Sequence, residues 1–366
     1  MMPNIKIIDV HKRFGDVVAL NGVTLDVRDG EYVCIIGPSG SGKSTLLKII
    51  AGILKPDKGE IYFDDSLVND IPIDKRGIGL VMQDILLFPH LNVWENITYS
   101  PLVRGLSPLL VDELGNEVIG YLDLALDKWM YPDELSRGAQ QKVAIARALT
   151  AGPKILLLDE PLGSLDAQTA KEFRYELRRL VKDLKLTAIH ITHNQEEAMS
   201  IADKVVVLRK GRIEQVGTPL ELYTSPKTPF VCRFIGGEAN FFEGSIESHE
   251  GLNAIIKLKG GTLLRAQTDM PSGARVVVAL RPEDISLTRR DNASFSGFNL
   301  LGGIIEEVHF LGPYLRYVVD TEEGLVIVRA KRSARFMKGE EITLSFNVFH
   351  IFPYPKEGLR KAIAYE

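Results

Sequence analysis

Through the first two thirds of the chain, short unbroken apolar runs alternate with longer stretches whose apolar residues recur every three or four positions. The runs at 32–36, 154–158, 187–192 and 204–209 are rich in Val, Ile and Leu and predict strands buried on both faces. Between them, 45–54, 169–184 and 195–202 carry helical spacing. Strands that alternate with helices predict a largely parallel sheet covered on both faces. Residues from about 86 to 149 read as a more helical insertion, in which 111–125 has helical apolar spacing interrupted by Gly115 and Gly120. The pattern changes after the Ser-Pro-Lys-Thr-Pro stretch at 225–229 and Gly236-Gly237. Beyond it, short runs at 242–246, 254–258, 262–266, 276–280, 303–308, 315–319, 325–329 and 341–346 are separated by turn residues. They predict an all-β, barrel-like module built from two related halves. The expected division is therefore an α/β domain at 1–238 and a β-rich domain at 239–366.

Composition narrows the function classes. With 366 residues, 45% hydrophobic and 25% charged, the chain is long enough for two or three domains and too apolar for a disordered one. A net charge of −4 argues against nucleic acid as the main partner. No apolar run approaches the ~20 residues of a membrane-spanning helix. Two cysteines, Cys34 and Cys232, are too few for a disulfide framework or a cysteine-based zinc site, so the expected compartment is the reducing cytoplasm.

The chemistry is concentrated in two motifs. Gly37-Pro38-Ser39-Gly40-Ser41-Gly42-Lys43-Ser44, followed by Thr45, matches the phosphate loop G-x-x-x-x-G-K-[ST] at every fixed position. Such a loop turns backbone N–H groups into one concavity, which requires residues without a Cβ. Its helix start adds a positive dipole end, Lys43 reaches the β- and γ-phosphates, and the Ser44 hydroxyl binds Mg²⁺. The apolar run Ile155-Leu156-Leu157-Leu158 ends in Asp159-Glu160. Asp159 suits Mg²⁺, and Glu160 is placed to polarise an attacking water.

A third segment, Leu135-Ser136-Arg137-Gly138-Ala139-Gln140-Gln141, resembles the LSGGQ signature of the ATP-binding-cassette ATPases, with Arg137 and Ala139 departing from it. The resemblance covers nearly the whole chain. It implies that Ser136 and Gly138 contact the γ-phosphate of ATP held by a second copy, and that Ser164-Leu165-Asp166 crosses the same interface. It further implies that Gln83 bridges Mg²⁺ or water, that His193 contacts the γ-phosphate, and that Phe14 stacks on adenine. His190, inside the strand that leads to His193, is expected to be structural. Residues 218–223 and 230–237, together with Arg281-Pro282-Glu283, are similar to the junction and tail of importer ATPases of the maltose, polyamine and sulfate type.

That likeness implies an ATPase domain with a helical subdomain at about 86–149, and an oligonucleotide/oligosaccharide-binding-like (TOBE) regulatory domain after it. It also implies a homodimer docked on two membrane permease subunits, fed by an extracytoplasmic solute-binding protein and peripheral to the inner face of the membrane. The segment at 86–90 is expected either to touch the permease or to pack inside the insertion. Overall likeness leans toward sugar as the solute. The alternative is a regulatory protein whose tail engages a small ligand, an inhibitor or nucleic acid, with ATP as the switch.

Overall fold

The structure is a computed structural model describing residues 3–251, 253–289 and 299–365. Its contacts divide the chain into two units, one running to Glu221 and the other spanning Leu222–Tyr365.

In chain order the first unit contains β1 (Ile5–Phe14), β2 (Val17–Val27), β3 (Tyr32–Ile36), α1 (Lys43–Ala51), β4 (Lys58–Phe63), β5 (Ser66–Leu67) and β6 (Ile78–Val81). Three helices follow, α2 (Val93–Val103), α3 (Pro108–Tyr121) and α4 (Arg137–Thr150). Then come β7 (Ile155–Asp159), α5 (Ala167–Asp183), β8 (Thr187–Ile191), α6 (Gln195–Ile201), β9 (Lys204–Arg209) and β10 (Arg212–Gly217). The expected parallel sheet is present in the order β10-β9-β3-β8-β7-β6, with β10 antiparallel at one edge. β3, β7 and β8 are buried at every position, as strands covered on both faces must be.

A second sheet, β2-β1-β4-β5, is antiparallel and was not foreseen from the sequence. Register shifts in β1, with Asp9 at φ 47°, break the two-residue alternation that would have marked it. One core joins Ile5, Ile7 and Leu20 of this sheet, Leu46 and Leu47 of α1, and Ile155 and Leu157 of β7. α1 stops at Ala51, short of the expected 54, because Gly52 adopts a left-handed C-cap at φ 83°.

The second unit begins within α7 (Pro219–Thr224) and continues through α8 (Pro229–Phe234). Its strands are β11 (Asn240–Glu250), β12 (Asn253–Leu258), β13 (Leu263–Gln267), β14 (Arg275–Leu280) and β15 (Ser286–Arg289). They continue with β16 (Asn299–Phe310), β17 (Tyr314–Thr321), β18 (Gly324–Lys331), β19 (Glu341–Phe346) and β20 (His350–Pro353), before α9 (Leu359–Ala362). They form two five-stranded antiparallel sheets, β13-β12-β11-β14-β20 and β15-β19-β16-β17-β18, which share one apolar core.

Residues 222–238, which the change of pattern places in the first domain, group with this unit by contact. Cys232 of α8 packs with Val277, Ala279 and Phe352. The Arg-Pro-Glu segment explains the attachment. Arg281, only 1% exposed, donates to Ile235 O at 2.8 Å and Tyr223 O at 3.0 Å, and its guanidinium lies 3.9 Å over the Tyr223 ring. Glu283 accepts the Tyr223 hydroxyl and lies 3.6 Å from Arg329.

Both cysteines are free and buried. Burial pushes the Cys34 thiol well above its usual range and the Cys232 thiol up to about 11. A thiol reagent at pH 8 should therefore modify the native protein at least about 100-fold more slowly than the denatured chain, where both thiols react. Rapid labelling of either cysteine in native protein would contradict this packing.

Candidate active site

The phosphate loop joins β3 to α1 under tight steric control. A Cβ on Gly37 would lie 2.0 Å from Leu208 O of β9, and one on Gly42 would lie 2.3 Å from Ala19 O of β2. Gly42 also needs φ 104°, which L side chains rarely adopt. The Gly211 N–H donates to Ser41 O at 3.0 Å and ties the loop to the β9–β10 turn. Pro38 is half-buried, whereas Ser39 and Gly40 form the exposed tip. Gly42 caps α1 without a side-chain bond, and the first turn carries no acid. Its N–H groups are thus left for an anion, which fits a phosphate. Lys43 Nζ lies 3.0 Å from Gly37 O and 2.9 Å from Pro38 O. Burial lowers its pKa, while Glu160 and Asp159 oppose that shift. Thr45 is half-buried in the first turn of α1.

The acidic pair is where the sequence placed it. Asp159 closes β7, and its Oδ1 accepts the Ser44 hydroxyl at 3.3 Å. Burial raises its pKa, partly offset by that hydrogen bond. Two hard oxygen donors thus lie together at the foot of the loop. Such a pair suits Mg²⁺, which is held by one or two protein groups and otherwise by phosphates and water.

Glu160 turns out of the strand at φ 47°. Its backbone is held at both ends, by Ile191 O accepting its N–H at 2.9 Å and by the Gly163 N–H at 3.1 Å on its carbonyl. Its Oε2 is 3.4 Å from Gln83 Nε2 and 3.1 Å from His193 Nδ1. Gln83, Glu160 and His193, far apart in sequence, therefore meet at one oxygen. Beside them is a cavity of about 210 Å³, lined in part by Glu160, Leu165, Thr192 and His193, with room for several waters. A larger groove of about 1180 Å³ lies in the second unit, among Asn253, Arg265, Gln267, Asn299 and Asn347. Among the described residues it has no lysine or carboxylate arranged for phosphate chemistry, so its size does not make it the active site.

Ser136, Gly138 and Asp166 are not gathered at this oxygen. Ser136 is the exposed N-cap of α4 and accepts the Ala139 N–H at 3.2 Å. The cap uses the backbone at 139, so alanine there leaves it intact. Arg137 is exposed at the first position of α4. A Cβ on Gly138 would meet Thr169 Cγ2 at 3.2 Å, and Asp166 caps the same turn of α5 through the Gln168 and Thr169 N–H groups. The signature and the 164–166 loop are thus adjoining parts of one exposed surface. Phe14 ends β1 with its ring 48% exposed and the Lys12 ammonium 5.7 Å from its centre. His190 is fully buried, as expected of a structural residue.

Comparison with known proteins agrees with this arrangement. The ABC transporter family model matches residues 20–163, and that of the TOBE domain matches 278–352. The chain is 36% identical over 340 residues to the spermidine/putrescine import ATP-binding protein PotA of Thermotoga maritima, covering 92% of each. It is 39% identical over 333 residues to PotA of Acidothermus cellulolyticus, covering 89% of this chain and 86% of that one. The chain belongs to the ATP-binding-cassette transporter ATPases. A dimeric structure of the ATP-binding cassette MJ0796, in a post-hydrolysis state bound to ADP and Pi, superposes with a TM-score of 0.53 at 33% identity. The superposition covers 59% of this chain and 98% of that one. The protein is an ATPase that uses ATP with Mg²⁺, and its tail is a TOBE domain.

Sequence reasoning missed the buried group of Tyr32, Thr192 and Glu197 behind His193. The one available signal was Glu197, an acid four residues after His193 and on the buried side of a short helix.

Replacing Lys43 with Ala should weaken MgATP binding at least about 10-fold, the scale of a lost charge-assisted phosphate contact, without unfolding the domain. Titration with a fluorescent ATP analogue reads this, and unchanged affinity would contradict the placement of the phosphates at the loop.

Proposed function

We propose that this chain is the ATP-hydrolysing subunit of a polyamine importer. The observation that carries the solute class is its likeness, over 92% of both lengths, to a protein described as a spermidine/putrescine import ATP-binding protein. The sugar expected from overall likeness finds no support among these relatives, and the regulatory alternative is not favoured. The chain acts as a homodimer bound to two permease subunits at the cytoplasmic face of the membrane, with solute delivered by an extracytoplasmic binding protein. Among the described residues no helix is long and apolar enough to cross a membrane, so in this reading other chains form the pathway. Leu86 is 63% exposed rather than packed inside the insertion, and α2 shows Tyr99, Leu102 and Val103 outward. These exposed apolar side chains support permease docking. Phe88 holds the segment in place, with its backbone bonded to the buried Asn96 and its ring 4.6 Å from Tyr99.

In the reaction, the loop N–H groups and Lys43 bind the phosphates, and Phe14 stacks on adenine. Ser44 and Asp159, with Gln83 at the edge of the site, would hold Mg²⁺. Bound Mg²⁺ supplies neutralisation of charge on the β- and γ-phosphate oxygens. Glu160 accepts a proton from the attacking water, oriented by Gln83 and His193. Ser136 and Gly138 of a second copy close over the γ-phosphate, with the Asp166 loop at the seam. Closure is therefore favoured only with ATP in place, and hydrolysis releases it.

In a transporter assembled with its permease and binding protein, spermidine should stimulate ATP turnover and maltose should not. Glu160→Gln should abolish that stimulation while keeping ATP affinity, lowering turnover by about 10²–10⁴-fold. Stimulation by maltose alone would overturn the solute assignment, and near-normal turnover of Glu160→Gln would overturn the role of Glu160.

A further inference from the structure

His193 stands in the three-residue turn between β8 and α6, and its side chain is 65% exposed. Side-chain packing therefore does not fix it. The backbone on either side of it is fixed instead. The Thr192 N–H donates to Ile35 O at 3.3 Å. The Thr192 hydroxyl accepts the Asn194 N–H at 3.0 Å and donates to Glu197 Oε2 at 2.7 Å. The Asn194 side chain in turn accepts the Glu197 N–H at 3.1 Å, which closes the first turn of α6. Both neighbours of His193 are thus tied to one residue, which is itself only 4% exposed.

The Glu197 carboxylate is anchored from the other side. Its Oε1 lies 3.0 Å from His190 Nε2, a close electrostatic contact bent away from hydrogen-bond alignment. His190 Nδ1 lies 2.9 Å from the Tyr32 hydroxyl of β3. Burial works against the charged carboxylate, but His190, Thr192 and the nearby Arg174 outweigh it and hold the group below its ordinary value. An ionised carboxylate only accepts, so the single Thr192 proton must point at it, leaving the hydroxyl oxygen free to receive Asn194. An amide at 197 would present one acceptor and one donor in the same space and lose the charge facing His190.

We propose that Glu197 is a positioning residue for the ATPase reaction: acting through the Thr192 hydroxyl and Asn194, its carboxylate sets the turn that brings His193 Nδ1 to Glu160. This rests on the pairing of His193 with Glu160 described above. A residue that merely capped α6 would alter stability and leave the pairing alone. The proposed role requires the effect of Glu197 on turnover to pass through His193.

The test measures kcat, KM for ATP and ATP affinity of the full chain for Glu197→Gln, Thr192→Val and Thr192→Ser, each alone and combined with His193→Ala. Alone, Glu197→Gln and Thr192→Val should lower kcat about 10-fold with KM within about twofold, and Thr192→Ser should stay near wild type. His193→Ala alone should lower kcat about 10²-fold, and in that background the other substitutions should cost less than about twofold. If the losses multiply in the combined variants, or if KM rises with kcat unchanged, Glu197 does not act through His193 and the proposal falls. Should Glu197→Gln fail to fold, the Thr192→Val and Thr192→Ser pair decides by the same criteria. A wild-type rate for His193→Ala would instead remove the pairing on which the proposal stands, a different and separately readable failure.

Discussion

A residue other than glycine held in the left-handed region costs about 1–3 kcal/mol and persists only where its surroundings enforce it. Glu160 is held there at φ 47°, directly after five buried residues of β7. Its carbonyl and N–H are both committed, to Gly163 and Ile191. The turn separates two adjacent acids. Asp159 continues the strand toward the Ser44 hydroxyl, while Glu160 swings toward Gln83 and His193. One carboxylate is therefore available to a metal and the other to a water, a division of roles that a straight strand end would not give. The rest of the first unit holds the phosphate loop in register with that turn. β2 and β9 press so closely on Gly42 and Gly37 that no side chain fits.

The same geometry leaves the site half-built. Lys43, Ser44, Asp159 and Glu160 gather at the ends of β3 and β7, whereas Ser136 faces solvent at the start of α4. Gly138 lies against Thr169, whose N–H is bonded to Asp166, so the signature and the neighbouring loop form one surface at the starts of α4 and α5. In the proposed homodimer, a second copy facing this surface supplies donors to the γ-phosphate, and ATP bridges the two copies. Alanine at 139 leaves the Ser136 cap intact, because that cap uses a backbone N–H.

How much of this was legible follows from how local each feature is. The phosphate loop and the Asp159-Glu160 strand end are fixed by contiguous residues whose types are forced by sterics and charge, and both could be read directly. The parallel strands β3, β7, β8 and β9 were visible because strands buried on both faces are continuous apolar runs, whereas the four-residue β6, buried only at alternate positions, was not. The antiparallel sheet was not, because a positive φ at Asp9 and the register shifts of β1 scramble its alternation. The segment 222–238 looked like the end of the first domain, yet Cys232 is buried against β14 and β20 and Arg281 binds the backbone at 223 and 235. Contacts at such separation leave no local signature. In the group behind His193, Tyr32 and His190 come from β3 and β8, and Glu197 of α6 is the one member with a local signal.

The most direct test of the account is the mass in solution of the Glu160→Gln protein, measured by analytical ultracentrifugation with saturating MgATP and again with MgADP. A nucleotide shared between facing copies predicts a dimer with ATP that dissociates with ADP, and a Ser136→Phe substitution that prevents it. A monomer in saturating ATP, with nucleotide bound at full affinity, would contradict the shared site.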